Sequence, residues 1–172
     1  MTHTTDPIHP GAKLKPPTST RRHAMAKVHS TLTVARPVEA VYRHFLELDK
    51  HPTDPDVESV VKQPDGPTGP GTTFRFRHKR GRKVRETTMR FISLEPNRSI
   101  VFEGDVGPVR PKGTFTFGQT DGATTLSVRI DDLNPVFPLK LLAPLLARVG
   151  QRIWGQRLAR IKTLLEASAS RP

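Results

Sequence analysis

The sequence predicts a single α+β domain in which an antiparallel sheet of about seven strands lies against one long C-terminal helix. Three observations predict it. Short runs between Val28 and Ile130 alternate apolar and polar residues with period two, as half-buried strands do. Clusters of Gly, Pro, Asn and Asp divide these runs at hairpin spacing. From Pro138 to Glu166 the apolar residues recur instead at helical spacing. A helix with an apolar face needs a cover, and the strands upstream can supply it.

Residues 1–26 are rich in Pro, Thr and His and hold almost no large apolar side chain, so a disordered tail is expected there. The sequence leaves open whether Met25 is the start of the natural chain or the tail is a genuine extension. The domain is expected over 27–167, with 168–172 a short C-terminal tail. Val28–Val34 alternates and is β-branched, a strand with Val28, Ser30, Leu32 and Val34 on one face. Pro37 suits the first turn of a helix and Glu39 the positive end of its dipole. Val38, Val41, Tyr42, Phe45 and Leu46 then repeat at helical spacing, and the prolines after Asp49 end the helix there.

Val57–Lys62 reads as the next strand, followed by a surface loop in the breaker cluster from Pro64 to Gly71. Thr72–His78 and Val84–Phe91 form a hairpin. With Arg80-Gly81 as a two-residue turn, Phe76 faces Arg85, Phe74 faces Thr87, Thr72 faces Met89 and Arg75 opposes Glu86; a longer turn shifts this register. Ser99–Glu103 is a strand after the turn at Leu94–Arg98, and Gly104–Pro108 breaks it. Gly113–Gly118 and Thr124–Ile130 make a second hairpin through Thr120-Asp121-Gly122-Ala123. Leu133–Pro138 leads into the final helix. There Leu142, Leu145, Leu146, Val149 and Ile153 share one face, while Trp154, Leu158, Ile161 and Leu165 share a second, rotated by about 100°. The stripe changes direction near Gly150 and Gly155.

Composition excludes several function classes. No stretch approaches the ~20 apolar residues of a membrane span, and no charged segment precedes an apolar one at the N-terminus. A soluble cytoplasmic protein is expected. With no cysteine there is no disulfide, thiolate nucleophile or thiolate metal site. His3, His9 and His23 lack metal-site spacing, and neither a metal nor a cofactor is expected. No nucleophile elbow, P-loop or dinucleotide fingerprint is present. The formal net charge is +12, with the excess gathered between Arg75 and Arg85 and again between Arg148 and Lys162. Such clusters either solvate a face or bind a polyanion.

The element order, together with particular segments, resembles the helix-grip fold of the START-like (SRPBCC) superfamily, closest to its polyketide cyclase/dehydrase type. The resemblance spans about Lys27 to Ala167. It is carried by the opening strand with Ala35-Arg36-Pro37-Val38-Glu39-Ala40-Val41-Tyr42, by Gly69-Pro70-Gly71-Thr72, and by the run from Phe91 through Leu94-Glu95-Pro96-Asn97-Arg98 to Phe102. The most specific part is the ending, Leu158-Ala159-Arg160-Ile161-Lys162-Thr163-Leu164-Leu165-Glu166. The resemblance implies a curved antiparallel sheet wrapped around the long helix, short helices after the first strand, and an apolar cavity between sheet and helix. It fixes no single reaction, because members include cyclases and aromatases, lipid and hormone carriers, ubiquinone-binding chaperones and ribosome-associated proteins. The family often places a tryptophan after the first helices, where this chain has His51-Pro52-Thr53-Asp54-Pro55.

A ligand held in such a cavity would meet Phe45 of the first helix. The strands would add Phe74, Phe76, Met89, Phe91, Phe102, Phe115 and Phe117, and the final helix Leu146, Val149 and Ile153. Aromatic rings and a methionine offer broad contact to a planar or fatty molecule without naming it. The stretch around Leu146, Val149, Gly150 and Ile153 is expected to form the pocket and its gate, with Leu158, Ile161 and Leu165 anchoring the helix. Catalysis would need a polar group in the cavity; Tyr42, His78 and Arg85 are the candidates. Arg80, Arg82 and Lys83 at the hairpin turn are the candidate contacts for a polyanion such as RNA or an anionic membrane. Binding of an apolar small molecule or lipid is the leading expectation, a cyclase or aromatase activity the second, and polyanion binding the third.

Overall fold

The computed structural model describes residues 28–133 and 142–168. The expected N-terminal tail over 1–26, the lead-in to the last helix beyond Leu133 and the chain after Ser168 lie outside the described residues. The alternating runs form one antiparallel sheet of seven strands: β1 (Val28–Val34), β2 (Val57–Gln63), β3 (Thr73–Arg80), β4 (Lys83–Glu95), β5 (Ser99–Asp105), β6 (Lys112–Thr120) and β7 (Ala123–Asp132). Their spatial order is β1-β7-β6-β5-β4-β3-β2, so β2 to β7 form a meander and β1 closes onto the last strand. Helix α1 (Val38–Leu46) connects the two edges, and α2 (Ala143–Ala167) follows β7. This is the α+β, helix-grip arrangement that the sequence predicts.

Turn chemistry sets the registers. Asp121 and Gly122 both have positive φ, 45° and 77°, as the two-residue turn between β6 and β7 requires. In the β3–β4 hairpin the turn lies one residue later than Arg80-Gly81. Arg80 pairs with Lys83, and Gly81 takes the first turn position with φ of 60°. Phe74 therefore faces Met89, Phe76 faces Thr87, His78 faces Arg85, and Arg77 rather than Arg75 opposes Glu86. Each pairing moves by two residues, and an even shift keeps every side chain on its expected face. A bulge between Phe91 and Ser93 interrupts the β4–β5 ladder; such a bulge bends a strand and helps a long one like β4 to curve.

The core lies between the concave face of the sheet and the two helices. From α1 it takes Val38, Val41, Tyr42 and Phe45, from the strands Phe74, Phe91, Ile100, Phe102, Phe115, Phe117, Leu126 and Val128, and from α2 Leu158, Ile161 and Leu165. Leu158, Ile161 and Leu165 anchor the C-terminal half of α2 as expected. Gly150 does something different from gating a pocket. A Cβ placed on it would stand 3.0 Å from Val28 Cγ2, so its lack of a side chain lets α2 approach β1. Gln151 reinforces that seam: its side-chain oxygen accepts the His29 N–H at 2.9 Å, and its side-chain nitrogen donates to the His29 carbonyl.

Candidate functional site

A cavity of about 100 Å³ opens between α2, the loop after α1 and strands β3 to β6. Its apolar wall comes from Phe45, Phe76, Met89, Phe102, Phe115, Trp154 and Ile161. Trp154 is the keystone of this wall, its ring centre 6.0 Å from that of Phe102 and 5.6 Å from that of Phe115. Phe102 and Phe115 stack at 4.7 Å, and Phe45 packs on Phe115 at 4.6 Å. Offset and edge-on packing of this kind keeps aromatic side chains in defined positions, so the wall is preformed.

The same cavity has a polar side. His51, Thr53 and Asp54 from the loop after α1, His78 of β3, Thr87 of β4 and Arg157 of α2 all reach it. Asp54 accepts from two arginines at once: its Oδ2 lies 2.7 Å from Arg157 Nε and its Oδ1 2.9 Å from Arg160 Nη1. One carboxylate thus ties the proline-bearing loop to α2 through residues three apart on the helix, which share a face. The Arg157 guanidinium also stands 5.4 Å from the centre of the Trp154 ring, a cation–π distance that holds both side chains at the cavity. His78 Nε2 and Thr87 Oγ1 share a hydrogen bond of 2.9 Å. Burial, and then the nearby Arg157 charge, lower the His78 pKa; Asp54 and Asp56 oppose this, and Arg85 adds to it. His78 is therefore a neutral imidazole at pH 7, able to take a proton or share one with Thr87.

Of the residues expected from the sequence, Phe45, Phe76, Met89, Phe102, Phe115 and His78 line the cavity. Phe74, Phe91 and Phe117 do not. They face inward but lie deeper in the core: Phe74 packs on Phe91 at 5.3 Å, and Phe117 meets Tyr42 and Phe45, each at 5.3 Å. Leu146 is half-buried against the core and outside the lining. Val149 and Ile153 are 49% and 45% exposed and face solvent, because α2 turns the opposite side of its first half toward the sheet. Neither lines this cavity.

The catalytic candidates separate in the same way. Tyr42 is buried edge-on against Phe117, away from the cavity, and burial raises its pKa. Arg85 is exposed on the hairpin, where its guanidinium donates to the Val106 carbonyl. Arg80, Arg82 and Lys83 are exposed together at the β3–β4 turn, and none of them lines the cavity. Sequence reasoning misses Arg157, counting it among the solvated charges of the last helix. The signal available is its position three residues after Trp154, on the flank of the buried stripe.

Outside the cavity, His51 also borders a groove between α1 and the end of α2 and stacks on His44 at 5.8 Å with the rings 14° apart. His44 is 7% exposed and its Nε2 has no protein partner among the described residues. Burial first, then the neighbouring His51, push its pKa down to about 4, against a smaller upward pull from Glu47.

A sequence profile for the family described as polyketide cyclase/dehydrase and lipid transport matches residues 25–166. The chain belongs to this family. No curated protein matches the sequence. Among solved structures, the polyketide cyclase/dehydrase fold seen here is similar to that of TTHA0849 from Thermus thermophilus, with a TM-score of 0.65, 20% identity, and coverage of 84% of this chain and 99% of that one. It is also similar to the Zhui aromatase/cyclase from Streptomyces sp. R1128, with a TM-score of 0.64, 20% identity, and coverage of 83% and 94%. The di-domain aromatase/cyclase StfQ of the steffimycin biosynthetic pathway matches with a TM-score of 0.65 and 20% identity over 84% of this chain and 50% of its own. At this identity the likeness shows a shared fold.

Proposed function

We propose that this polyketide cyclase/dehydrase family member binds an apolar small molecule or a lipid segment in the cavity between sheet and α2. The observation that carries the reading is the wall of Phe45, Phe76, Met89, Phe102, Phe115 and Trp154 around about 100 Å³ of space, with Asp54, His78, Thr87 and Arg157 at its polar side. Ligand sites combine these features: mostly apolar walls and a few placed polar groups that set orientation. Size narrows the class. A dry apolar cavity of roughly 150 Å³ holds a single benzene ring, so the space of about 100 Å³ here suits at most one ring or a short stretch of acyl chain. A larger ligand would extend past His51 and Val57 toward solvent.

The single tryptophan of the chain, Trp154, provides the assay. Its emission should change and saturate as a single-ring aromatic or a medium-chain fatty acid is titrated, and native mass spectrometry should show one ligand per chain. Phe102→Arg, which puts an unpaired cation into the wall, should abolish uptake. Val57→Phe, at the half-buried edge, should weaken it while leaving the melting temperature nearly unchanged. A wild-type protein that binds no probe would sink the proposal.

His78 and Arg157 favour a second reading, cyclase or aromatase chemistry on the same ligand. A neutral imidazole could remove a proton from an enolisable carbon while the guanidinium stabilises the oxyanion that forms. Turnover of a β-ketoacyl aromatic precursor that His78→Gln abolishes, with ligand binding retained, would establish it. Tyr42→Phe should leave that turnover intact, because Tyr42 does not line the cavity.

A further inference from the structure

We infer that the outer face of the first half of α2 docks on an anionic lipid surface. Leu142, the residue just before this helix, and Leu145, Val149 and Ile153 on it are 48%, 56%, 49% and 45% exposed. At about 100° per residue they fall within roughly 80° of one another, on the side of the helix away from Leu158, Ile161 and Leu165. The helix is thus apolar on two faces, of which the sheet covers one. Single exposed apolar residues are ordinary, but three in a continuous helical row, with Leu142 exposed just before them, mark a surface that meets a partner.

Charge selects the partner. Arg148 and Arg152 are exposed beside the row, and no acid lies on α2 before Glu166. A second copy of the chain docked face to face would bring these arginines against their counterparts with no helix carboxylate to pair them. An anionic bilayer fits both features. The leucine, valine and isoleucine side chains enter the boundary between headgroups and acyl chains, and the arginines extend their stems to reach phosphate. No helix among the described residues is long and apolar enough to cross a membrane, so the contact is a surface one. The placement also bears on the proposed function, although it does not depend on it. Ile153 ends the exposed row and Trp154, the next residue, lines the cavity, so docking brings the cavity wall to within one helical turn of the lipid.

The test is co-sedimentation of the full chain with phosphatidylcholine vesicles that contain or lack phosphatidylglycerol. Wild-type protein should pellet with the anionic vesicles only, and less as salt is raised. Leu145→Glu and Val149→Glu, both at exposed positions, should each reduce the apparent affinity about tenfold or more, and Arg148→Ala or Arg152→Ala about fivefold. Circular dichroism melts would confirm that these variants stay folded. Three results would overturn the inference. One is no binding to anionic vesicles. A second is loss of binding on neutralising Arg80, Arg82 and Lys83 together with no effect of the helix variants, which would place the contact on the hairpin. The third is a wild-type dimer, seen by sedimentation velocity, that Val149→Glu dissociates while vesicle binding is unaffected, which would make the row a protein interface.

Discussion

Lowering the pH from 7.5 toward 4 should selectively destabilise the native state through His44, and the structure supplies the size of the effect. His44 is 7% exposed, its Nε2 has no protein partner among the described residues, and its pKa is pushed down to about 4. In the unfolded chain the same imidazole titrates near 6.5. Between those two values the unfolded state binds more protons than the folded one, so stability rises with pH across that window and is lost as pH falls through it. Well above pH 7 neither state is protonated and the group contributes nothing to the slope. Integrated from 7.5 down to pH 4.5, the difference in pKa corresponds to about 2.5 kcal/mol of lost stability. Other groups titrate over the same range, so the measurement is a difference between two proteins. Urea unfolding of wild type and His44→Phe would be followed across this range. The variant keeps a ring against His51 and carries no titratable group. The wild-type free energy should fall more steeply, opening a gap of about 2 to 3 kcal/mol at the acid end. Parallel curves would refute the reasoning and mean that His44 finds water or a partner in solution.

Two further perturbations probe the cavity wall and its polar side. Gly113 pairs with Phe102 across β5 and β6, and a Cβ there would stand 2.6 Å from the Arg129 carbonyl oxygen and 3.0 Å from Phe102 Cζ. Gly113→Ala should therefore cost about 2 kcal/mol by overpacking and push the Phe102 ring into the cavity; thermal melts and Trp154 emission would read the two effects separately. Asp54→Asn weakens the hold on Arg157 and Arg160 and removes a charge that raises the His78 pKa. The His78 imidazole resonances in a nuclear magnetic resonance titration should move to a lower midpoint, and an unchanged midpoint would show that Asp54 does not govern the site.

Strand and helix positions are legible in the sequence because period and turn chemistry are local. Val28 to Val34 alternates on its own, and Asp121-Gly122 names its turn without reference to the rest of the chain. Sequence alone places the β3–β4 turn one residue early because the stretch around it, Lys79-Arg80-Gly81-Arg82-Lys83, offers only glycine as a marker, and glycine serves either turn position. Inward-facing strand residues are legible too. Parity, however, tells which face a side chain takes and not how deep it lies, so Phe74, Phe91 and Phe117 cannot be told from Phe76, Phe102 and Phe115. The polar side of the cavity is the least legible part. It joins Asp54, His78 and Arg157, from a loop, a strand and a helix far apart in sequence, and only the packing of α2 on the sheet brings them together. Spacing alone reads the row of Leu145, Val149 and Ile153 as an inward face. It shows that a helix has an apolar row and is silent on which of two such rows the sheet covers.

Methionine methyl groups offer the most direct test that the cavity takes an apolar ligand. The chain has three methionines, and Met89 lies on the cavity wall while Met1 and Met25 precede β1. In a sample labelled with carbon-13 at these methyls, titration with a medium-chain fatty acid or a single-ring aromatic should shift the Met89 signal along a curve that saturates at one ligand per chain, with the other two signals unmoved. A Met89 signal that stays in place at ligand excess, or drifts together with Met1 and Met25 without saturating, would contradict the proposal.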